Sequence, residues 1–453
     1  MEKEPKEERV LKRKEFLREK SSQENHVLGK WEKKAKTVKE CDMIEIKDKT
    51  KCMGCYGCVN KCPVKCITME DDEEGFWYPK VDEEKCIKCG LCNRVCPIEN
   101  LRPITNTGTR AFAVYHISEA MVKLSSSGAA FTALGNHILN KGGVVFGVQM
   151  TEEFEAKESK IRVKKETLKA DKQLLMEGAG ISEEKELASD IINSEGKILV
   201  TNYSKYLGRY RKSKYVQSRI GETYKQCEDL LKKGELVYFS SNPCQVAGLL
   251  AYLGKNYENL YTQDIICHGV PSPLALKHYI KYRENVEGKK AVAINFRSKS
   301  RGWKPYSFDI EFEDGTHYNK AGGADPYLRA FWKNATLRPA CFDCKFKTTT
   351  HNSDFTLADF WGVEEFYPEL YHKMGTSLVL THTQRAAELL ENVYKSGKIN
   401  MTEVDPAVAL KKNASIRHPS KKKEGRDEFI VSLTDDNFVD VLAAYEEKNK
   451  PLQ

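Results

Sequence analysis

Two runs of cysteine share one spacing: Cys52, Cys55, Cys58 and Cys62 before Pro63, and Cys86, Cys89, Cys92 and Cys96 before Pro97. Thiolates so spaced build a pair of 4Fe-4S clusters. Three of each run wrap three irons of one cube, and the fourth, turned away at the proline, reaches the other cube. The spacing therefore assigns Cys52, Cys55, Cys58 and Cys96 to one cluster, and Cys86, Cys89, Cys92 and Cys62 to the second. A zinc ribbon also uses Cys-x-x-Cys pairs, but it has no need of a third and fourth cysteine in each run with a trailing proline.

Seven further cysteines remain: Cys41, Cys66, Cys227, Cys244, Cys267, Cys341 and Cys344. Cys341 and Cys344 form a Cys-x-x-Cys pair inside RPACFDCKFK. Cys244 sits in SNPCQ, where Asn242 can cap and Pro243 can open the following helix. A thiol there faces the positive helix end, which favours the thiolate a metal needs. Cys267 ends a strand at Cys267-His268-Gly269. Strand ends and helix starts of an α/β sheet gather on one rim, so these three segments can meet. Spacing alone leaves two readings level: a third set of ligands, or buried cysteines acting as small apolar residues. The Cys341/Cys344 pair also fits half a zinc site or a disulfide. Cys41, Cys66 and Cys227 read as small buried residues.

The elements that must position these groups are bounded by bulk properties. At 453 residues the chain is too long for one core, so two or three folded units are expected. No apolar run approaches a membrane span, and the opening MEKEPKEERVLKRKEF lacks the apolar stretch of a signal peptide. The expected compartment is the cytoplasm, where thiols stay reduced and ligate metal rather than pair; the Asn413-Ala414-Ser415 sequon is then irrelevant. The net charge of +8 is a mild surplus of 73 basic over 65 acidic residues, interspersed. Nucleic acid would want a basic stripe with exposed aromatics, and KYLGRYRKSK at 205–214 is the closest approach to one. The surplus suits an acidic redox partner, such as a ferredoxin, or a phosphate-bearing cofactor.

Residues 1–45 are too charged to fold alone and read as a helical or disordered leader. The dicluster ferredoxin module spans 46–105, with Gly75-Phe76-Trp77-Tyr78-Pro79 expected to cover the cubes. From 106 to 400 strands and helices alternate: strands at 110–116, 144–148, 236–240 and 260–266, and helices at 127–140 and 243–253. That pattern predicts an α/β domain with a mainly parallel sheet. Residues 151–205 form a polar insertion, and 401–453 a charged tail with a helix near 438–447.

Clusters pass single electrons, whereas most organic substrates change by two, and a flavin is the usual converter. A nicotinamide fold is unsupported, because Gly178-Ala179-Gly180 lacks the third glycine of a G-x-G-x-x-G turn and follows no strand. Leu124-Ser125-Ser126-Ser127-Gly128-Ala129-Ala130, opening a helix after a strand, offers N–H groups and hydroxyls to a phosphate. Serine and glycine are also ordinary helix-start residues.

Seven segments, in order, resemble the coenzyme F-420 hydrogenase/dehydrogenase beta subunit family: LSSSGAAFTALGNHILNKGGVVFGV, KSKYVQSRIGETY, SNPCQVAGLLAYLGK, DIICHGVPSP, FRSKSRGWKPYSF, DPYLRAFWKN and LRPACFDCKFKTTTHNSDFTLADFWG. The likeness runs from about 110 to 365, with the ferredoxin module in front. It implies an FAD-binding α/β domain in which Cys244, Cys267, Cys341 and Cys344 ligate a third 4Fe-4S cluster beside the flavin. It also places Ser125, Ser126, Ser127, Gly128, Lys214, Tyr215, Ser218, Asn242 and Gln245 around that flavin. Lys214 is then a candidate to hold phosphates or to set charge near the reduced ring, and His268 a candidate proton donor, with Asp359 a supporting acceptor. Two departures stand out: 151–205 is longer than the family's connector, and position 242 is Asn where Thr is common. The resulting expectation is an iron–sulfur flavoprotein oxidoreductase that exchanges hydride with a deazaflavin-like or other small acceptor. The alternative is a catalytically silent electron-relay subunit feeding a partner enzyme.

Overall fold

The computed structural model describes residues 43–106, 108–162 and 207–450. Most of the expected leader with Cys41, and most of the polar insertion, lie outside the described residues. Among the described residues fourteen strands occur in three sheets. They are β1 (Ile67–Asp71), β2 (Trp77–Val81), β3 (Arg110–His116), β4 (Val144–Met150), β5 (Ala156–Ile161), β6 (Ser218–Arg219), β7 (Val237–Ser240), β8 (Leu260–Ile265), β9 (Ala291–Ser298), β10 (Ser307–Phe312), β11 (His317–Ala321), β12 (Phe355–Asp359), β13 (Ser377–Thr381) and β14 (Ile399–Val404).

β1 and β2 form the antiparallel hairpin of the ferredoxin module, and β11-β10-β9 a small antiparallel sheet. The body is a nine-stranded sheet in the order β14-β3-β13-β12-β8-β7-β4-β5-β6. Its inner strands β3, β13, β7 and β4 are mostly apolar on both sides because both sides are covered. Along β3, Phe112 and Val114 meet the Ala130–Asn140 and Gln384–Lys395 helices, while Ala111 and Ala113 meet Trp303 and Phe360.

The expectation of a mainly parallel sheet holds at the centre and at the short β5–β6 edge pair, but not throughout. β12, β8, β7 and β4 are parallel neighbours, but β4–β5, β12–β13, β13–β3 and β3–β14 are antiparallel, so the sheet is mixed. The β4–β5 case has a local cause: only residues 151–155 join the two strands, and a link that short makes a hairpin rather than a crossover.

Two other expectations change. The chain past 400 does not hang free. β14 pairs along β3, and the Arg426–Val431 and Phe438–Lys448 helices bury Phe429, Phe438, Leu442 and Tyr445 in a core shared with Tyr279 and Tyr327. The aromatic run after Gly75 is mainly a seam between modules. Phe76 enters that same core beside Leu276, and Trp77 joins Tyr56 with Tyr224 and Leu249 of the body. Among the described residues no helix is long and apolar enough to cross a membrane.

Candidate redox site

The two cysteine runs fold alike. Gly54 and Lys88, and then Tyr56 and Gly90, all take positive φ (63°, 49°, 64° and 65°), so each loop bends twice the same way before the short helices Gly57–Lys61 and Leu91–Arg94. Cys52, Cys55, Cys58 and Cys96 lie close enough to act on one another electrostatically. Burial, with the neighbouring thiols, raises the Cys55 thiol to about 12, while the N–H of Gly57 pulls it back. Cys62, Cys86, Cys89 and Cys92 line a second cavity with Val64 and Ile87. Cys66 is buried in the small core of the module, as expected, with its sulfur 3.4 Å from that of Cys62. Cys227 is fully buried beside Tyr224 and Leu231, an ordinary core position.

Cys244, Cys267, Cys341 and Cys344 come together. All four line one cavity with Met53, Arg338, Phe346 and Lys347. Cys244 stands on the first turn of the Pro243–Leu253 helix, whose start is closed by a capping box between Asn242 and Gln245. Cys267 follows β8, and Cys341 and Cys344 come from the turn at Pro339–Asp343 and just beyond. Burial is the main force raising each of these thiols, and backbone N–H groups oppose it at three of them: Gly269 on Cys267, Val270 on Cys341 and Phe346 on Cys344. Lys347 adds positive charge near Cys267 and Cys344. Among the described residues no trio of His, Cys, Asp or Glu is placed to hold a single metal ion. The four sulfurs and their N–H donors suit a larger, thiolate-bound group.

This cavity abuts the ferredoxin module. A Cβ on Gly248, one helical turn after Cys244, would stand 3.2 Å from the sulfur of Cys55. The module is fixed by Asn60 to Gly221 O (2.8 Å), Lys61 to Tyr252 O (2.7 Å), Arg219 to Asp71 (3.0 Å) and Arg426 to Glu74 (2.5 Å).

The residues expected around a flavin fall into linked groups. The 124–130 segment is a loop rather than a helix start, because Ala129 is left-handed (φ 69°) and the helix begins at Ala130. Ser127 donates to Thr376 O (2.8 Å), Ser126 accepts from Ser213 (3.1 Å), and Gly128 lies so close to β3 that a Cβ would meet Val114 O at 2.2 Å. Lys214 is buried, and its ammonium is spent on the carbonyls of Tyr210 (3.0 Å), Arg211 (2.7 Å) and Lys212 (3.2 Å). It staples its own loop, and burial pulls its pKa down to about 7. Tyr215 stacks on Phe331 at 4.8 Å. Ser218 and Gln245 share hydrogen bonds (3.0 and 3.1 Å), and Gln245 also accepts from Ser241 (2.6 Å). His268 bonds Asn334 at 2.7 Å, and its pKa is lowered by burial. Asp359 orients Arg297 and accepts from the Trp303 indole at 2.8 Å.

Sequence reasoning passed over several groups here. Arg297 and Lys299 lie in the FRSKSRGWKPYSF segment, whose basic run was the available signal. Lys299 is buried and donates to Val122 O (2.6 Å), Ser127 O (2.9 Å) and Met374 O (2.5 Å). Buried polar atoms without partners fall on three of these segments: Nε and Nη2 of Arg297, Oγ of Ser125 and Oε1 of Glu158. Such orphans mark a place built for a polar ligand, and a flavin with its phosphates offers donors and acceptors of both kinds. No local signal announced Asp264, His351 and His382, a buried chain in which His351 Nδ1 meets Asp264 at 2.7 Å and Thr356 bridges Asp264 (2.5 Å) to His382 (2.9 Å).

Comparison with known proteins agrees on both modules. Residues 51–100 match the family described as 4Fe-4S dicluster domain. Residues 234–407 match the family described as the C terminus of the coenzyme F420 hydrogenase/dehydrogenase beta subunit. The chain is 42% identical over 59 residues (12% of this chain, 45% of the relative) to NADH-quinone oxidoreductase subunit I 2 of Geobacter metallireducens. It is 33% identical over 55 residues (12% and 58%) to pyruvate synthase subunit PorD of Methanothermobacter marburgensis. The matches thus span about half the length of these relatives. A chain of the F420-reducing [NiFe] hydrogenase complex from Methanosarcina barkeri is similar at 13% identity and a TM-score of 0.39, over 76% of this chain and 94% of that one. The matched region starts one strand before Cys244 and runs past Cys344, so residues 234–407 are similar to the C terminus of the coenzyme F420 hydrogenase/dehydrogenase beta subunit, with a 4Fe-4S dicluster domain ahead of them.

Proposed function

We propose that the protein is an iron–sulfur flavoprotein oxidoreductase. Electrons enter at the outer cluster of Cys62, Cys86, Cys89 and Cys92 and cross the cluster of Cys52, Cys55, Cys58 and Cys96. They then reach a third 4Fe-4S cluster held by Cys244, Cys267, Cys341 and Cys344. FAD would be held beyond by Ser125–Gly128, Tyr215, Ser218 and Arg297, and would supply the conversion between single electrons and a hydride for a small acceptor of deazaflavin type. Asn242 and Gln245 act by fixing the helix start that carries Cys244, Lys214 by holding the loop of Tyr215, and His268 as a hydrogen-bonding group on the wall of the four-cysteine cavity. The observation that carries this reading is the meeting of four cysteines from three separate segments in one cavity against Cys55.

Anaerobic purification with iron and flavin analysis tests it. The expected content is about 12 irons per chain, four for each cube, with one FAD. Cys341→Ser is expected to lose about four irons and keep the ferredoxin spectrum. A wild-type count of about eight irons sinks the third cluster, and an iron-replete, flavin-free preparation sinks the flavin. The relay alternative is favoured by one finding, that the curated relatives are themselves named as subunits. Turnover by the purified chain with a small acceptor and no second protein rules it out.

A further inference from the structure

Arg338 stands between the first and third cysteine sets. Its side chain is fully buried, donating from Nε to Cys52 O (2.8 Å), from Nη1 to Gln217 Oε1 (3.1 Å) and from Nη2 to Trp77 O (3.0 Å). The rings of Tyr78 and Phe76 pack on it at 4.2 and 5.3 Å. Every one of these partners is neutral, and among the described residues no carboxylate pairs with it. Other buried or half-buried arginines of this chain do have one: Arg426 has Glu74, Arg385 has Asp354 and Arg297 has Asp359.

A buried cation without a counter-charge is strongly disfavoured, so the fold implies an anion that the described residues do not supply. A cube held by four thiolates is such an anion, since four negative sulfurs outweigh the charge of the iron–sulfide core. Arg338 is tied to two sets at once. It holds the Cys52 carbonyl, its own carbonyl accepts from the Cys341 N–H at 2.9 Å, and it lines the four-cysteine cavity. The outer set of Cys62, Cys86, Cys89 and Cys92 lines a separate cavity that Arg338 does not reach.

We propose that Arg338 is the electrostatic coupler of the two inner clusters: its uncompensated charge raises the reduction potentials of the Cys52 and Cys244 clusters above that of the outer one, so that electrons are drawn inward. The Cys244 half of this statement rests on the third cluster proposed above; the Cys52 half does not. Each transfer is a single electron leaving a reduced outer cluster and arriving on the next, with no bond made and no proton moved. The external reductant is a one-electron donor protein.

The test is a redox titration of the full chain under anoxic conditions, followed by electron paramagnetic resonance. Gln217→Glu is the milder variant, since it sets a carboxylate against Nη1 and cancels the charge without removing the arginine. Gln217→Glu and Arg338→Met are each expected to shift the one-electron equilibrium of the Cys52 cluster at least tenfold toward the oxidised form, about 59 mV. The Cys244 cluster is expected to move the same way, the outer cluster to stay, and Arg338→Lys to retain most of the wild-type value. Unmoved potentials in Gln217→Glu, or equal shifts in all three clusters, overturn the proposal. If Arg338→Met does not assemble its iron, Gln217→Glu decides alone. If iron analysis finds no third cluster, the Cys52 signal still decides the role of Arg338, so the two readings fail separately.

Discussion

His382 and His351 sit 5.4 Å apart, ring on ring, yet titrate in opposite directions. Burial drives His382 down to about 4, and its nitrogens meet only the hydroxyls of Thr109 and Thr356, each at 2.9 Å. Burial also works against the charge on His351, but the Asp264 carboxylate outweighs it and leaves that pKa raised. Between pH 6.5 and 4 the unfolded chain therefore binds a proton at position 382 that the folded chain refuses, and stability falls as pH falls. The His351 contribution is fully present throughout that window and is lost only as pH rises through its raised value, so it does not mask the slope. Acidification from pH 6.5 to 4.5 is expected to remove roughly 2–3 kcal/mol through His382. His382→Asn, which can still bond both threonines, is expected to be less pH-sensitive by that amount in urea melts, and an unchanged slope in the variant refutes the assignment.

The Pro243–Leu253 helix carries Cys244 on its first turn and Gly248 four residues later, on the same face. A glycine inside a helix is about 1 kcal/mol worse than alanine, so its presence calls for a contact only glycine allows. A Cβ here would meet the Tyr224 hydroxyl at 2.8 Å and the Cβ of Cys55 at 3.1 Å. Gly248→Val is expected to push the ferredoxin module off the helix, cost about 1–3 kcal/mol and weaken the magnetic interaction between the Cys52 cluster and the proposed Cys244 cluster. An unchanged interaction in a folded variant shows that the close approach is not what couples them. This helix also shows what the sequence could reveal. Its start was readable at Asn242-Pro243, because capping is local chemistry. The eight ferredoxin cysteines were readable for the same reason, whereas Cys244, Cys267 and Cys341 came together only through the order of strands around β8. The helix expected from Ser127 starts at Ala130 instead, because Lys299 and Thr376, far along the chain, hold the carbonyl and hydroxyl of Ser127 in a loop. Arg338 carried no signal at all, as its partners belong to two modules.

Across the whole molecule, the last fifty or so residues act on the first cluster module. Arg426 is fully buried, and it pairs with Glu74 of the ferredoxin hairpin at 2.5 Å while also donating to Leu337 O, next to Arg338. Ser272 bonds the carbonyl of the same Glu74, and Gly75 lies against Leu274 so closely that a Cβ would stand 2.3 Å from the leucine Cβ. The hairpin is thus clasped by the C-terminal layer and by the start of the Pro273–Glu287 helix, at the point where Arg338 grips Cys52. Breaking one side of a buried ion pair costs about 3–5 kcal/mol, while replacing both sides with apolar groups is often tolerated. Arg426→Leu is therefore expected to lower the urea midpoint, to expose the junction near 100–108 to limited proteolysis, and to slow electron passage from the ferredoxin clusters inward. The double variant Arg426→Leu with Glu74→Leu is expected to recover most of the stability. Recovery of stability together with the electron rate means the clasp acts by position alone. Recovery of stability with a slow rate means that its charges also shape the field around Arg338.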